Sequence, residues 1–271
     1  MECVTVFDDD HLLVPDKSVA KGLIGRHGLS PSLFFGLSGC PARWAADRVK
    51  QKHSSGSGGA NIGFYAHWVL EMFFAGEPHE RTEYFFQDCL DAVADRGAER
   101  RGLSSFGRFV LRDHIEDACR GIFDIEDPQT VNVVARELRV SGAKIGGAPF
   151  CGIVDRLCDR DGLIFVEDYK TSPKIPLFSH EVRSQVQQQL YILALKNLGY
   201  EIAGARLLYV RIGRVWKVET SRRSMRDVAA RFARAYESLC GWVEDGRFPA
   251  VSGKSCHGCR LVEDCPASAH Y

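Results

Sequence analysis

The chain has 271 residues, with 35 basic and 35 acidic side chains and 45% hydrophobic residues. This length allows one large core or two small ones, and no apolar run approaches the roughly 20 residues that a membrane-spanning helix requires. The N-terminus carries acidic residues at Asp8, Asp9 and Asp10 and no basic segment, so we expect no secretory signal and a cytoplasmic protein.

The sequence up to about residue 125 predicts a mainly helical region. Pro41 is typical of a first helical residue, and Asn61 is a suitable cap for the next helix. The Ser- and Gly-rich segment Ser54–Gly59 between them predicts a flexible loop. The predicted helices are Pro41–Lys52, Asn61–Phe74, Glu80–Asp95 and Ser105–Phe123.

After Pro128 the pattern changes to apolar runs separated by the turn pairs Gly146-Gly147 and Asp161-Gly162, which indicates β-strands. A long helix ended by Gly199 follows, then two more strands and a final helix. This order predicts an α/β fold. The predicted strands are Val131–Val140, Phe150–Asp159, Leu163–Lys170, Ala205–Ile212 and Val215–Glu219, and the predicted helices are Ser179–Leu198 and Met225–Glu244.

Two carboxylates and a lysine lie at the ends of neighbouring predicted strands. Side chains alternate along a strand, so Asp168 and Lys170 share one face, and pairing through the Asp-Gly turn places Asp155 beside Asp168. Paired carboxylates attract Mg²⁺ or Mn²⁺, which can hold a phosphate and activate water, while Lys170 orients that water or stabilises negative charge. Considered alone, an Asp-x-Lys sequence is very common, and it is more typical of a surface ion pair at the end of a hairpin.

Three short motifs follow one another in a fixed order along the strands and the helix after them. The last motif places a glutamine and a tyrosine four residues apart, on one helix face. The ordered set resembles the PD-(D/E)XK nuclease superfamily, and within it the RecB-like branch. The motifs are Gly152-x-x-Asp155, Asp168-Tyr169-Lys170-Thr171 and Gln187-x-x-x-Tyr191.

The resemblance implies a restriction-endonuclease-like mixed sheet flanked by helices, with an N-terminal helical subdomain and a Cys-rich C-terminal tail. It implies that Asp155 and Asp168 bind the metal, that Lys170 is catalytic, and that Gln187 and Tyr191 contact the site or the substrate. The implied divisions of the chain are 1–125 (helical), 126–248 (nuclease core) and 249–271 (Cys-rich tail).

A histidine in the second predicted helix extends this resemblance. RecB-like nucleases have a helical histidine followed a few residues later by Leu-Glu, and His67 precedes Leu70-Glu71 in this way. The resemblance implies that His67 is a third metal ligand through a neutral imidazole nitrogen. The alternative is a histidine that packs between core aromatic side chains.

Three cysteines near the C-terminus form a C-x2-C-x5-C pattern at Cys256, Cys259 and Cys265. Such closely spaced thiols indicate zinc or an iron–sulfur cluster, which usually take four ligands. Some RecB-like nucleases, including AddB-type proteins and the CRISPR-associated Cas-four exonucleases, bind a [4Fe–4S] cluster with one further N-terminal cysteine. Cys40, which precedes Pro41, fits that position. Zinc and buried free thiols are the alternatives.

The segment Arg206–Arg234 contains nine basic residues and two acidic ones. It is typical either of a phosphate-binding stripe or of a solvated helix face. We therefore expect a metal-dependent DNA exonuclease, phage-encoded or CRISPR-linked, that acts on ends or single strands in recombination, repair or CRISPR adaptation. The alternatives are a DNA-binding subunit of a recombination complex and a structure-specific endonuclease. A helicase or CRISPR partner and a homo-oligomer are compatible with this function.

Overall fold

The secondary structure changes from helices to strands near Pro128, as the sequence predicts. In a computed structural model, residues 6–24, 28–50, 62–175 and 179–270 are described. The predicted loop Ser54–Gly59 and the cap Asn61 lie outside those residues. The helices are α1 (Lys17–Ile24), α2 (Pro31–Leu37), α3 (Pro41–Lys50), α4 (Ile62–Phe73), α5 (Glu83–Arg101), α6 (Ser105–Cys119), α7 (Ile122–Ile125), α8 (Ser179–Asn197) and α9 (Arg222–Asp245).

The strands form two sheets. The strands are β1 (Val6–Asp8), β2 (His11–Leu13), β3 (Asn132–Ile145), β4 (Ala148–Arg160), β5 (Leu163–Lys170), β6 (Ile202–Tyr209), β7 (Arg214–Lys217) and β8 (Arg247–Pro249). A three-stranded sheet has the order β1-β2-β8, and a five-stranded sheet has the order β3-β4-β5-β6-β7. The larger sheet is mixed, because β5 and β6 run parallel while β4–β5 and β6–β7 are antiparallel.

This mixed five-stranded sheet with flanking helices confirms the predicted α/β, restriction-endonuclease-like fold class. Three-residue strands β1, β2 and β8 were not predicted, because a run of three residues is too short for alternation to be recognised. The predicted helix Ser105–Phe123 is two helices, α6 and α7. The break falls at Gly121, where a Cβ atom would lie 2.5 Å from the backbone nitrogen of Gly213, so the close backbone approach requires glycine.

The described residues divide into two compact units. Unit 1 comprises Met1–Ser57, Ser141–Gly152 and Arg226–Tyr271, and unit 2 comprises Gly58–Val140 and Ile153–Met225. The three divisions predicted from the sequence, 1–125 (helical), 126–248 (nuclease core) and 249–271 (Cys-rich tail), stay a prediction. Within the described ranges, no helix combines the length and the apolar character that a bilayer span requires.

Unit 1 joins the two ends of the chain. Strand β2 pairs with β8 in antiparallel register, with Leu12 opposite Phe248. Helix α3 packs against both strands, and the ring of Trp44 lies 6.4 Å from that of Phe248. A second aromatic contact joins Phe34 to Phe232 at 5.6 Å. Segments that are distant in sequence therefore meet in one core.

Unit 2 contains the helices that cover one face of the larger sheet. Helices α4, α5 and α6 share a buried core with Cys158, Tyr169 and Leu208. Helix α8 packs against β5 and β6. Because side chains alternate along β5, Asp168 and Lys170 point to the face opposite Tyr169. The sheet thus separates a hydrophobic core from the two polar residues.

The β4–β5 hairpin sets the register of the predicted site. Its two turn residues, Asp161 and Gly162, have φ values of 57° and 81°, which a two-residue hairpin turn of this kind requires. The register pairs Arg156 with Glu167. Asp155 precedes Arg156 and Asp168 follows Glu167, so in this antiparallel register the two carboxylates lie at the same level of the sheet. The predicted hairpin is confirmed.

Candidate functional site

A cavity of about 910 Å³ opens within unit 2. It is lined by one face of α4 and by residues of β3, β4 and β5. Three of the residues predicted from the motifs line it, namely His67, Asp155 and Lys170. The helical histidine and the strand motif, nearly 90 positions apart in sequence, therefore meet at one cavity.

His67 and Asp155 are linked around the backbone of Tyr169. The Nδ1 atom of His67 lies 3.2 Å from Oδ2 of Asp155, and its Nε2 atom lies 3.0 Å from the Tyr169 carbonyl oxygen. The Tyr169 N–H donates to the same Asp155 oxygen at 3.0 Å. Burial disfavours the imidazolium, but the hydrogen bond and charge of Asp155 outweigh it and raise the pKa of His67. The pair is thus tightly associated.

Glu137 is the residue of this cavity that the sequence analysis missed. His67, Glu137 and Asp155 each offer a ligand atom, and the three atoms lie within 4.8 Å of one another. Glu137 has a φ of 43°, an uncommon conformation for a residue with a side chain, and such strain often marks functional positions. Burial and the nearby charge of Asp155 raise the pKa of Glu137. One imidazole nitrogen and two carboxylates form a donor set suited to Mg²⁺ or Mn²⁺.

Asp168 and Lys170 form an ion pair on the predicted face of β5. The Lys170 Nζ atom lies 2.5 Å from Oδ2 of Asp168, which is only 4% exposed. Burial, together with the charge of Asp155, raises the pKa of Asp168, although Lys170 opposes the change. Asp168 lies outside the group of three ligand atoms formed by the described residues, so its role as a metal ligand stays a prediction.

The opposite face of this hairpin holds a buried network of charges. The Arg156 guanidinium lies 2.5 Å from the Glu167 carboxylate and 2.7 Å from Glu126. Arg160 pairs with the same two carboxylates. Burial alone would raise the pKa of Glu167, but the surrounding arginines hold it at about 2. This network fixes the strand that carries Asp168.

The contacts of Arg206 and Arg211 correct the interpretation of the basic segment as one phosphate-binding stripe. The predicted stripe Arg206–Arg234 begins on β6, where Arg206 is opposite Glu167 and lies 3.5 Å from its carboxylate. Arg211 pairs with Asp117. At least these two cations are used in intramolecular ion pairs, so the segment is not one continuous phosphate-binding surface.

The helix motif residues Gln187 and Tyr191 contact each other. The Tyr191 hydroxyl hydrogen-bonds with the Gln187 side chain and accepts the Ile153 N–H at 3.3 Å. Tyr191 is only 5% exposed, so its ring packs inside unit 2 and offers no open face to a nucleobase. A substrate contact by Gln187 or Tyr191 stays a prediction, and in the structure the Tyr191 hydroxyl contacts the backbone of β4.

Unit 1 brings together the three cysteines of the tail pattern and Cys40, the N-terminal cysteine that the resemblance implies. A small cavity of about 20 Å³ is lined by Cys40, Cys256, Cys259 and Cys265. The Val251 N–H donates to the Cys40 sulfur at 3.4 Å. Burial raises the pKa of Cys265, and the neighbouring thiols of Cys40 and Cys256 add to this effect. The distant N-terminal cysteine therefore lies with the C-terminal three.

Polar contacts attach the tail to helix α3. Arg43 donates to the Ser255 carbonyl oxygen. Asp47 lies 3.2 Å from the Arg260 guanidinium and 3.7 Å from that of Arg43. These contacts hold the cysteine-bearing segment beside the helix that follows Cys40.

A sequence model of the PD-(D/E)XK nuclease superfamily matches residues 28–266, which includes both the cavity and the cysteine cluster. No curated protein matches the chain. Members of this superfamily are nucleases that use divalent metals. The chain belongs to the PD-(D/E)XK nuclease superfamily.

Proposed function

We propose that the protein is a Mg²⁺- or Mn²⁺-dependent exonuclease that hydrolyses phosphodiester bonds at DNA ends or in single strands. The observation that carries the proposal is the cavity of unit 2, where His67, Glu137 and Asp155 gather beside Lys170. The RecB-like branch belongs to the same proposal, supported by the helical histidine and the ordered motifs. A role in recombination, repair or CRISPR adaptation, with a helicase or another partner, rests on that resemblance.

The residues of the cavity have separable tasks in this reaction. A divalent cation, when bound, supplies Lewis acidity at the phosphate and a more acidic water. His67, Glu137 and Asp155 present the nitrogen and oxygen atoms that such a cation prefers. The Lys170 ammonium is available to an anionic phosphate oxygen or to the attacking water, and its ion pair with Asp168 orients it. Preorganised charge of this kind stabilises the transition state.

We propose further that the cysteine cluster of unit 1, Cys40, Cys256, Cys259 and Cys265, binds a [4Fe–4S] cluster. The four thiols line one small cavity, and they come from the two positions along the chain at which cluster-binding RecB-like nucleases carry their cysteines. Four thiolates are the ligand set of either a [4Fe–4S] cluster or a zinc ion. The resemblance favours the cluster, with zinc as the alternative.

End-labelled linear single strands, linear duplex and closed circular single strands test the proposed exonuclease in Mg²⁺, Mn²⁺ and EDTA. We expect degradation of linear DNA in either metal, no activity in EDTA, and survival of the circle because it has no end. Cleavage of the circle would indicate an endonuclease instead. DNA binding without cleavage in either metal would favour the DNA-binding subunit of a recombination complex.

Purification without oxygen tests the cofactor. We expect brown protein containing iron and acid-labile sulfide, as is typical of thiolate-bound clusters. Cys40→Ser should remove the cofactor as fully as Cys259→Ser, while Cys240→Ser, a half-buried cysteine of α9, should retain it. Colourless protein with one equivalent of zinc would refute the cluster, and full iron content in Cys40→Ser would refute the role of Cys40.

A further inference from the structure

Helix α4 presents two aromatic side chains to the same cavity as the metal-ligating group. Residues Phe64, His67, Trp68 and Glu71 all line the cavity. Their spacing of three and four residues places them on one face of the helix. Phe64 and Trp68 are therefore within about one helical turn of His67, whose imidazole belongs to the group of three ligand atoms.

Phe64 leaves a large aromatic surface open. Its side chain is 55% exposed, although Tyr65, the next residue, is buried. The Phe64 ring contacts that of Trp68 at 6.2 Å and that of Tyr65 at 5.4 Å. These contacts support the Phe64 ring from the protein side, while the other side remains accessible. A supported, exposed aromatic ring of this kind can stack against another planar ring.

Trp68 holds two cations beside that surface. The guanidinium carbons of Arg96 and Arg100 lie 5.6 Å and 5.3 Å from the centroid of the Trp68 ring. Such distances are typical of cation–π contacts. Arg100 also lines the cavity. Among the described residues, neither guanidinium has a carboxylate partner, so both retain hydrogen-bond donors for an anion.

We propose that Phe64 stacks on a nucleobase of a single-stranded substrate and that Arg100, positioned by Trp68, contacts the adjacent phosphate. The inference rests on the proposed nuclease function and adds a substrate preference to it. Single strands combine accessible base faces with a charged backbone, and proteins bind them by aromatic stacking together with cations. In a continuous duplex the base faces are already stacked, so Phe64 favours single strands and frayed ends.

An abasic substrate tests the stacking directly. Two single-stranded oligonucleotides are compared, one complete and one in which nucleotides around a single phosphate carry a tetrahydrofuran spacer in place of the base. At that phosphate, we expect kcat/KM for the complete oligonucleotide to exceed kcat/KM for the abasic one by about 5- to 150-fold, which corresponds to the loss of one stacked base. Phe64→Ala should cleave both strands at similar, reduced rates, whereas Phe64→Tyr should keep the preference.

Matched variants separate stacking from a general surface effect. Phe106, on α6, is 75% exposed and does not line the cavity in the described residues, so Phe106→Ala should retain both rate and preference. Arg100→Ala should raise KM for either strand and make it less sensitive to salt, because one phosphate contact is lost. Arg101→Ala, the neighbouring arginine of α5, should leave KM unchanged.

A binding measurement makes the inference independent of cleavage. A strand containing 2-aminopurine, mixed with the protein in EDTA, should lose fluorescence when the base stacks, and Phe64→Ala should abolish that loss. If the protein cleaves no DNA but shows this quenching, the nuclease proposal fails and the stacking site stands. If Phe64→Ala keeps the preference for complete strands, or retains the quenching, the stacking site is refuted while the nuclease proposal stands.

Discussion

The two units hold chemically different ligand groups, and each is supported in a different way. In unit 2, His67 and Asp155 are joined by hydrogen bonds around Tyr169, and a buried charge network lies on the opposite face of β5. In unit 1, the cysteine cluster comes from distant segments held by strand pairing and by contacts such as that of Asp47 with Arg260.

This difference predicts whether the loss of each proposed cofactor affects mainly cleavage or mainly stability. The site of unit 2 is organised by the protein's own hydrogen bonds and ion pairs. Loss of its metal should therefore lower the cleavage rate more than it lowers the stability of the fold. The cysteine cluster of unit 1 connects chain ends, so the free energy of cofactor binding there should appear as stability, since binding to the folded state alone stabilises it.

We expect the largest loss of stability from a substitution in unit 2, away from the proposed metal ligands. Glu167→Gln removes a fully buried carboxylate that pairs with Arg156 and Arg160, and among the described residues it leaves Glu126 as their one carboxylate partner. We expect a loss of about 3–5 kcal/mol in the free energy of unfolding, because one carboxylate then has to compensate two buried or half-buried guanidinium groups. Denaturant titration measures it, with Glu99→Gln, at an exposed position of α5, as the control. An unchanged midpoint would mean that the network does not support the site.

His67→Ala tests whether a residue of the unit 2 cavity affects metal dependence rather than stability. We expect the Mn²⁺ concentration for half-maximal cleavage to rise roughly 10- to 100-fold, the range typical when support of a metal site is lost, with little change in melting temperature. His114→Ala, at an exposed position of α6, serves as the control. A lowered melting temperature with unchanged metal dependence would identify His67 as a packing residue.

Cys259→Ser should show the reverse pattern in unit 1. Loss of one cofactor ligand should lower the melting temperature, by about 2–4 °C for each 1 kcal/mol of lost stability in a protein of this size. The metal concentration for half-maximal cleavage should stay unchanged, as should that of the Cys240→Ser control. If Cys259→Ser instead changed the metal concentration for half-maximal cleavage and left the melting temperature unchanged, the proposed roles of unit 1 in stability and of unit 2 in cleavage would be wrong.

Tyr191→Phe is expected to have the smallest effect. It removes the hydroxyl that accepts the Ile153 N–H, which should cost about 0.5–1.5 kcal/mol of stability. Because the ring is buried, KM for DNA should change little. An increase in KM at constant stability would instead support the substrate contact predicted from the helix motif.

Local patterns predicted the framework of the site well. Strand β5 spans Leu163–Lys170, as the sequence predicts, because its alternation and the preceding Asp-Gly turn are encoded within a few neighbouring residues. The same alternation predicts the shared face on which Lys170 meets Asp168. The tail pattern likewise names three cysteines that line one small cavity, and the family resemblance, rather than a local pattern, adds Cys40 to them.

Tertiary contacts set the remaining features, which the sequence alone does not reveal. Glu137 lies on a long strand with no motif around it, and both its positive φ and its proximity to Asp155 appear only in the folded chain. Arg206 counted toward a basic stripe, yet β6 places it beside Glu167. Charge counted along a sequence does not distinguish a solvated cation from a buried ion pair.

We propose that the cavity of unit 2 performs metal-dependent phosphodiester hydrolysis with Lys170 as a catalytic residue. The most direct test is the cleavage rate of end-labelled linear DNA in Mg²⁺ by Lys170→Ala, measured beside Lys196→Ala, at an exposed position of α8. We expect a loss of roughly 10²–10³ in rate for Lys170→Ala with DNA binding largely retained, and wild-type activity for Lys196→Ala. A Lys170→Ala protein that cleaves DNA at the wild-type rate would contradict this proposal.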